Sequence, residues 1–218
     1  MKPASRRRAV VFDLDGTLID SMTLVFAAIA HAIEPYRVLS REEIFAKLGG
    51  PPQRFMPAML EDPRHIPDAL LRLERYDREN QHLIQPFADT LRFLEQLREG
   101  GSGVKLAIWT GRDRESGTWL LRTLRLESFF ETVVYGDDLA SHKPEPEGLQ
   151  EIMRRLGVSA AETLFVGDAD VDVLGGAAGG VDTILVEHGR RADEAIRARA
   201  WRVVDSPAEA FALVLKSV

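Results

Sequence analysis

The sequence predicts an α/β protein: a mostly parallel β-sheet covered by helices on both faces, with an all-helical segment inserted after the first strand. Two observations support this. Short β-branched or apolar runs recur at Ala9 to Phe12, Val104 to Trp109, Thr132 to Tyr135, Thr163 to Val166, Val181 to Val186 and Trp201 to Val204, with amphipathic stretches between them. Strands that alternate with helices read as βαβ units, whose crossovers demand parallel pairing. The second observation is the interval from about Asp20 to Gln85, which shows helical pattern and no convincing strand.

The helices announce themselves locally. Asp89 to Glu99 is amphipathic and stopped by Gly100, and Glu145 to Leu156 is stopped by Gly157. Within the long interval, Ser21 to Glu34 ends at Pro35, Ser40 to Leu48 opens with Ser40 and Glu43 at capping-box spacing, and Pro67 to Ile84 has Pro67 at a helix start. Arg64, Arg72, Arg75 and Arg78 fall at helical spacing and read as a solvated face. The expected division is a core domain of residues 1–19 and 86–218 and a helical domain of residues 20–85.

Composition narrows the function. A chain of 218 residues with 45% hydrophobic content can bury one core and a modest insertion. The absence of cysteine excludes disulfides and thiolate chemistry and suits a cytoplasmic setting. A formal charge of -6 argues against a nucleic-acid partner, because such domains present a basic face. Arg6-Arg7-Arg8 before Ala9 to Phe12 looks briefly like the start of a signal peptide, but Asp13 and Asp15 end the apolar stretch. No run approaches the roughly 20 apolar residues of a membrane span, so no membrane partner is expected. The expected form is a monomer or homodimer.

The strand ends hold the chemistry, since open parallel sheets bind ligands beyond the carboxyl ends of their strands. The first strand ends in Asp13-Leu14-Asp15-Gly16-Thr17. In extended backbone the side chains of Asp13 and Asp15 project together, and like charges that close need a cation or a shared proton. The next core strand ends in Trp109-Thr110-Gly111-Arg112. The third is followed by a loop with Lys143-Pro144, and the fourth ends in Gly167-Asp168-Ala169-Asp170-Val171-Asp172. Each piece has a bland explanation alone: an Asp-Gly turn, a Thr-Gly turn, a solvated lysine, a helix N-cap at Asp170. Neither acidic run is an EF-hand. The one from Asp168 has Val173 at the sixth position and Gly179 at the twelfth, and the one from Asp13 has Leu24 at the twelfth. Four bland coincidences at four strand ends are a poorer account than one site.

Taken together, these four segments resemble the haloacid dehalogenase superfamily, and within it the small-molecule phosphatases with a helical cap of the phosphoglycolate phosphatase kind. The resemblance covers nearly the whole chain and implies a Rossmann-like core with the helical domain as cap. It implies a phosphatase that hydrolyses a small phosphorylated metabolite, a phosphate monoester, through an aspartyl-phosphate, with Mg²⁺ as cofactor. Asp13 is then the nucleophile, Asp15 the general acid and base, and Thr110 and Lys143 the groups that grip the transferring phosphoryl group. The implied metal ligands are the carboxylates of Asp13 and Asp168 and the backbone carbonyl of Asp15. Asp172 either ligates or orients Lys143 or a metal-bound water. Gly111 and Arg112 could add phosphate contacts, and Lys47, Gly49, Gly50, Pro51 and Arg54 are the cap residues expected near the organic part of the substrate, unless Leu48 to Pro52 is a plain turn. His31, His65, His82 and His188 are not grouped as metal ligands should be. The alternative is a sugar phosphomutase of the β-phosphoglucomutase type. That pattern has a histidine on the first helix where this chain, aligned without gaps, has Val25. A dehalogenase needs no protonated leaving group, so Asp15 argues against it.

Overall fold

In the computed structural model, described over residues 7–47, 52–100, 103–188 and 190–218, β1 (Ala9–Phe12) is fully buried along its four residues. β2 (Ile19–Asp20), α1 (Met22–Ile33), α2 (Arg41–Lys47), α3 (Pro52–Met59), α4 (Ile66–Glu79) and β3 (Gln85–Pro86) follow. Then come α5 (Thr90–Glu99), β4 (Lys105–Trp109), α6 (Arg114–Thr123), β5 (Thr132–Val134), α7 (Glu147–Leu156) and β6 (Thr163–Gly167). The chain ends with α8 (Asp170–Ala178), β7 (Asp182–Val186), α9 (Glu194–Arg197), β8 (Arg202–Val204) and α10 (Pro207–Leu215). Two compact units emerge, Met1–Ile19 with Pro86–Val218, and Asp20–Gln85.

The first unit is built on one parallel sheet in the order β5-β4-β1-β6-β7-β8. Phe12 stands opposite both Ile108 and Val166, so the carboxyl ends of β1, β4 and β6 finish level. Alternation along β1 sends successive side chains to opposite faces. On one face Ala9 and Val11 join Ala107, Trp109 and Phe165 in an apolar cluster closed by Leu149, Ile152 and Leu156 of α7. On the other, Phe12 meets Phe93 of α5 edge-on at 5.8 Å, and Phe93 stacks on Phe211 of α10 at 4.2 Å. The sheet is therefore covered on both sides, as the apolar character of its central strands requires.

The second unit is helical and has its own core. Ile29, Ala32 and Ile33 of α1 pack with Ile44, Phe55, Met56, Met59 and Ala69, and the half-buried Val25 packs against this cluster. Ser40 and Glu43 form the reciprocal capping box, with bonds of 3.2 and 2.7 Å.

Several sequence expectations need correction here. The helix expected from Pro67 to Ile84 ends at Glu79, where Asn80 caps it and a short 3-10 turn follows. α3 has no counterpart in the sequence reading; its two prolines, one at Pro57 inside the helix, mask the pattern. β2 and β3 are too short to leave a period and pair in a separate two-stranded sheet. Arg72 is not part of a solvated face: it is half-buried and donates to the His31 carbonyl at 2.9 Å. Among the described residues no helix is long and apolar enough to cross a membrane.

Candidate active site

The backbone delivers Asp13 to the carboxyl edge by continuing the ladder: its N-H donates to the Val166 carbonyl at 2.8 Å. One residue past β6 lies Asp168, and Asp172 fills the third position of α8, where it accepts from the Ala169 N-H at 3.0 Å. The loop after β5 sends in Lys143, whose ammonium donates to Asp13 at 2.5 Å and Asp172 at 2.8 Å. It also sits over the rings of Trp109 and Phe165, at 5.1 and 5.4 Å. One oxygen each of Asp13, Asp168 and Asp172 lies within 4.8 Å of the others.

Charge balance explains what this cluster can hold. Burial pushes the Asp13 carboxyl up to about 7, with Lys143 opposing and Asp172 adding to the rise. Asp168 is pushed well above the carboxylate range by burial and by the charges of Asp13 and Asp172. For Lys143, burial pulls downward, but the two carboxylates and their hydrogen bonds outweigh it and keep the ammonium charged. Ionising all three carboxylates against one ammonium would leave two uncompensated negative charges in a largely buried site, which is the cost that the raised acids record. All the donors are hard oxygens, so the set fits a divalent cation.

The turn after Asp13 is shaped by Gly16. The Leu14 carbonyl accepts from the N-H groups of Leu18 and Ile19, and Gly16 takes φ +82°. A Cβ there would stand 2.2 Å from Asp168 Oδ2. Gly16→Ala is therefore expected to lower stability by about 1–3 kcal/mol, from backbone strain combined with a clash that displaces the Asp168 carboxylate. Denaturant unfolding measures it, and an unchanged midpoint would contradict the geometry.

Thr110 is buried, with its N-H on the Val134 carbonyl at 3.0 Å. Its hydroxyl accepts from the Arg112 N-H at 3.1 Å, which leaves the O-H to donate. Gly111 lies exposed in this turn. Arg112, which could add a phosphate contact, holds the Asp15 carboxylate with two bonds of 2.6 Å. Asp15 thus turns its side chain to an arginine and not into the carboxylate cluster. Asp170 is not the N-cap of α8: Ala169 occupies that position, and Asp170 pairs with Arg190 at 2.6 Å. Lys47 is half-buried on α2 and Arg54 exposed on α3 of the helical unit; Gly49, Gly50 and Pro51 lie outside the described residues.

The contacts that His188 and Arg190 make here leave no local mark in the sequence. His188 Nε2 lies 2.6 Å from the Gly16 carbonyl, so that nitrogen bears the hydrogen, and its ring packs on Phe87 at 4.8 Å. Arg190 reaches the Asp168 carbonyl at 3.3 Å. Glu187, buried at the end of β7, pairs with Arg197 and accepts from the Ala192 N-H, which ties this segment down. His188 stands 172 positions from Gly16, and no local pattern marks such a pair.

An open parallel sheet with carboxylates and a lysine gathered at its carboxyl edge is the framework of an α/β enzyme. The pattern of the haloacid dehalogenase-like hydrolases matches residues 10–186, and the chain belongs to that family. Pyrophosphatase PpaX of Bacillus pumilus is 35% identical over 191 residues, 86% of each chain. Among solved structures, a chain assigned as a β-phosphoglucomutase from Thermotoga maritima superposes with a TM-score of 0.79 at 24% identity, covering 97% of this chain and 100% of that one. One described as a phosphoglycolate phosphatase from Haemophilus somnus gives 0.79 at 20%, with the same coverage. Both structural likenesses speak to the fold alone.

Proposed function

We propose that this hydrolase is a Mg²⁺-dependent phosphatase that cleaves a small phosphate monoester, of the phosphoglycolate type, through an aspartyl-phosphate on Asp13. The observation that supports this best is the bridge made by Lys143 between Asp13 and Asp172, beside Asp168, at level strand ends. Asp13 Oδ attacks phosphorus, the bond to the leaving oxygen breaks with its electron pair, and Asp15 gives that oxygen a proton. Water then attacks the aspartyl-phosphate, Asp15 takes the water's proton, and the Asp13-phosphorus bond breaks. Thr110 donates to a phosphoryl oxygen, and Lys143 offsets phosphoryl charge while orienting Asp13. The carboxylates of Asp13 and Asp168 and the Asp15 backbone carbonyl would hold the cation, with Asp172 placed by Lys143 and the α8 terminus. A bound Mg²⁺ supplies the positive charge that keeps these acids ionised and stabilises the charge passing through the transition state. The helical unit, residues 20–85, serves as the cap, with Lys47, Gly50 and Arg54 as candidates for the organic part of the substrate. The setting is cytoplasmic.

Pyrophosphate is the second reading, favoured by the PpaX relative. A mutase is the less favoured one, because Val25 packs into the helical unit's apolar cluster and can move no proton. A phosphate-release panel of metabolite monoesters, sugar phosphates and pyrophosphate separates them. The expected result is stoichiometric phosphate from a small monoester, abolished by excess chelator and restored by Mg²⁺. Full turnover in chelator would overturn the metal requirement. Exclusive cleavage of pyrophosphate would replace the monoester reading, and isomerised sugar phosphate formed faster than inorganic phosphate would establish the mutase.

A further inference from the structure

Arg112 is more firmly placed than an arginine in a turn needs to be. Its N-H donates to Thr110 Oγ1 at 3.1 Å, and its carbonyl accepts from the Gly136 N-H at 2.7 Å. A Cβ at Gly136 would stand 2.4 Å from the Gly111 carbonyl oxygen, so the two turns touch backbone to backbone. The next residue, Asp113, caps α6 by accepting from the Ser116 N-H at 2.9 Å. From this fixed base the guanidinium presents its Nε and Nη2 edge to Asp15, one hydrogen bond to each carboxylate oxygen, both 2.6 Å. The side chains are 21% and 31% exposed, sheltered enough for the pair to hold. A planar fork on a planar carboxylate fixes direction as well as distance.

We propose that Arg112 is the positioning residue for Asp15, setting the carboxylate plane from which the proton passes to the leaving oxygen, and not a ligand of the substrate's phosphate. The phosphoryl group already has Lys143 and Thr110 to hold it, and the Nε and Nη2 edge of Arg112 is spent on Asp15. The inference rests on the acid-base role proposed above for Asp15. An arginine that acts through Asp15 matters in proportion to how much the leaving oxygen needs a proton. One that grips phosphate matters equally for every substrate.

The test compares kcat/KM, which reports steps up to leaving-group departure, on phenyl phosphate and 4-nitrophenyl phosphate with Mg²⁺. The two bind through the same ring, but phenolate needs a proton far more than nitrophenolate does. Arg112→Gln is expected to lose roughly 10-fold or more on phenyl phosphate and less than about 3-fold on 4-nitrophenyl phosphate, part of the full acid-base contribution. Inhibition by inorganic phosphate should stay within about 2-fold. In an Asp15→Asn background the same change should add no further selective loss, because its target is gone. Arg112→Lys keeps the charge without the fork and serves if the glutamine variant unfolds; a selective loss on phenyl phosphate is again the supporting result. Equal losses on both substrates with weakened phosphate inhibition, or no loss in either variant, would overturn the proposal. If Asp15→Asn itself loses equally on both substrates, the acid role of Asp15 fails, which is a failure of the proposed function and is read independently of Arg112.

Discussion

Asp13→Asn is expected to lose at least about 10³-fold in turnover, because an amide oxygen cannot form the phosphoenzyme. Residual activity above about one per cent of wild type would exclude Asp13 as nucleophile. The same variant carries a second, opposite signature in stability. Burial raises the Asp13 carboxyl from the ordinary 3.8 to about 7 in the folded protein. A carboxyl raised in this way favours the folded state while protonated, so metal-free wild type should lose stability as pH rises from about 3.8 to about 7. Asparagine has no proton to lose there. In excess chelator the variant should therefore match wild type near pH 4 and become the more stable of the two near pH 8, as read by denaturant midpoints. A variant that is dead and also less stable at pH 8 would mean that Asp13 is held in place for packing.

Lys143→Met is expected to be the most damaging change to the fold among the site residues. The ammonium is bonded to two buried carboxylates, and removing one partner of such a group costs about 3–5 kcal/mol because the charges left behind have neither water nor a counterion. Methionine fills a similar volume over Trp109 and Phe165, so the loss reports charge and not a cavity. The ammonium contributes across neutral pH, since its folded value lies above the ordinary lysine value and its contribution is lost only when pH rises through it. The destabilisation should be greatest in chelator above pH 7, where Asp13 ionises, and smaller near pH 5, where protonation relieves the repulsion. Mg²⁺ should recover part of it. Turnover should fall by at least about 10²-fold even in saturating Mg²⁺, as removal of one transition-state donor does. A loss of stability independent of pH and metal would contradict this electrostatic account.

The positions of Asp13, Thr110 and Asp168 were legible from sequence because strand and helix signals are local. A β-branched run that ends in a turn states where a strand stops, and in a parallel sheet the stops define one edge. Ser40 with Glu43, or Gly157 after α7, act within one helical turn, and the structure has both, Gly157 at φ 65°. Lys143 and Asp172 were legible only through the order and spacing of four segments that resemble one family. What the sequence left open is everything decided between elements distant along the chain. The Arg112 and Asp15 pair is separated by 97 positions and leaves no mark in the sequence, because a long side chain's partner is settled only once both backbones are fixed. An N-cap at Asp170, one explanation its residue type offers, fails because the helix begins one residue earlier and an arginine 20 positions away claims the carboxylate. α3 was hidden because its helical state comes from burying Phe55, Met56 and Met59 in the helical unit's core and not from propensity. The sequence by itself determined which chemical groups stand at the ends of which strands. The tertiary structure alone decided which of them touch, because hydrogen bonds and ion pairs form between whichever groups packing brings within about 3 Å, and separation along the chain carries no trace of that distance.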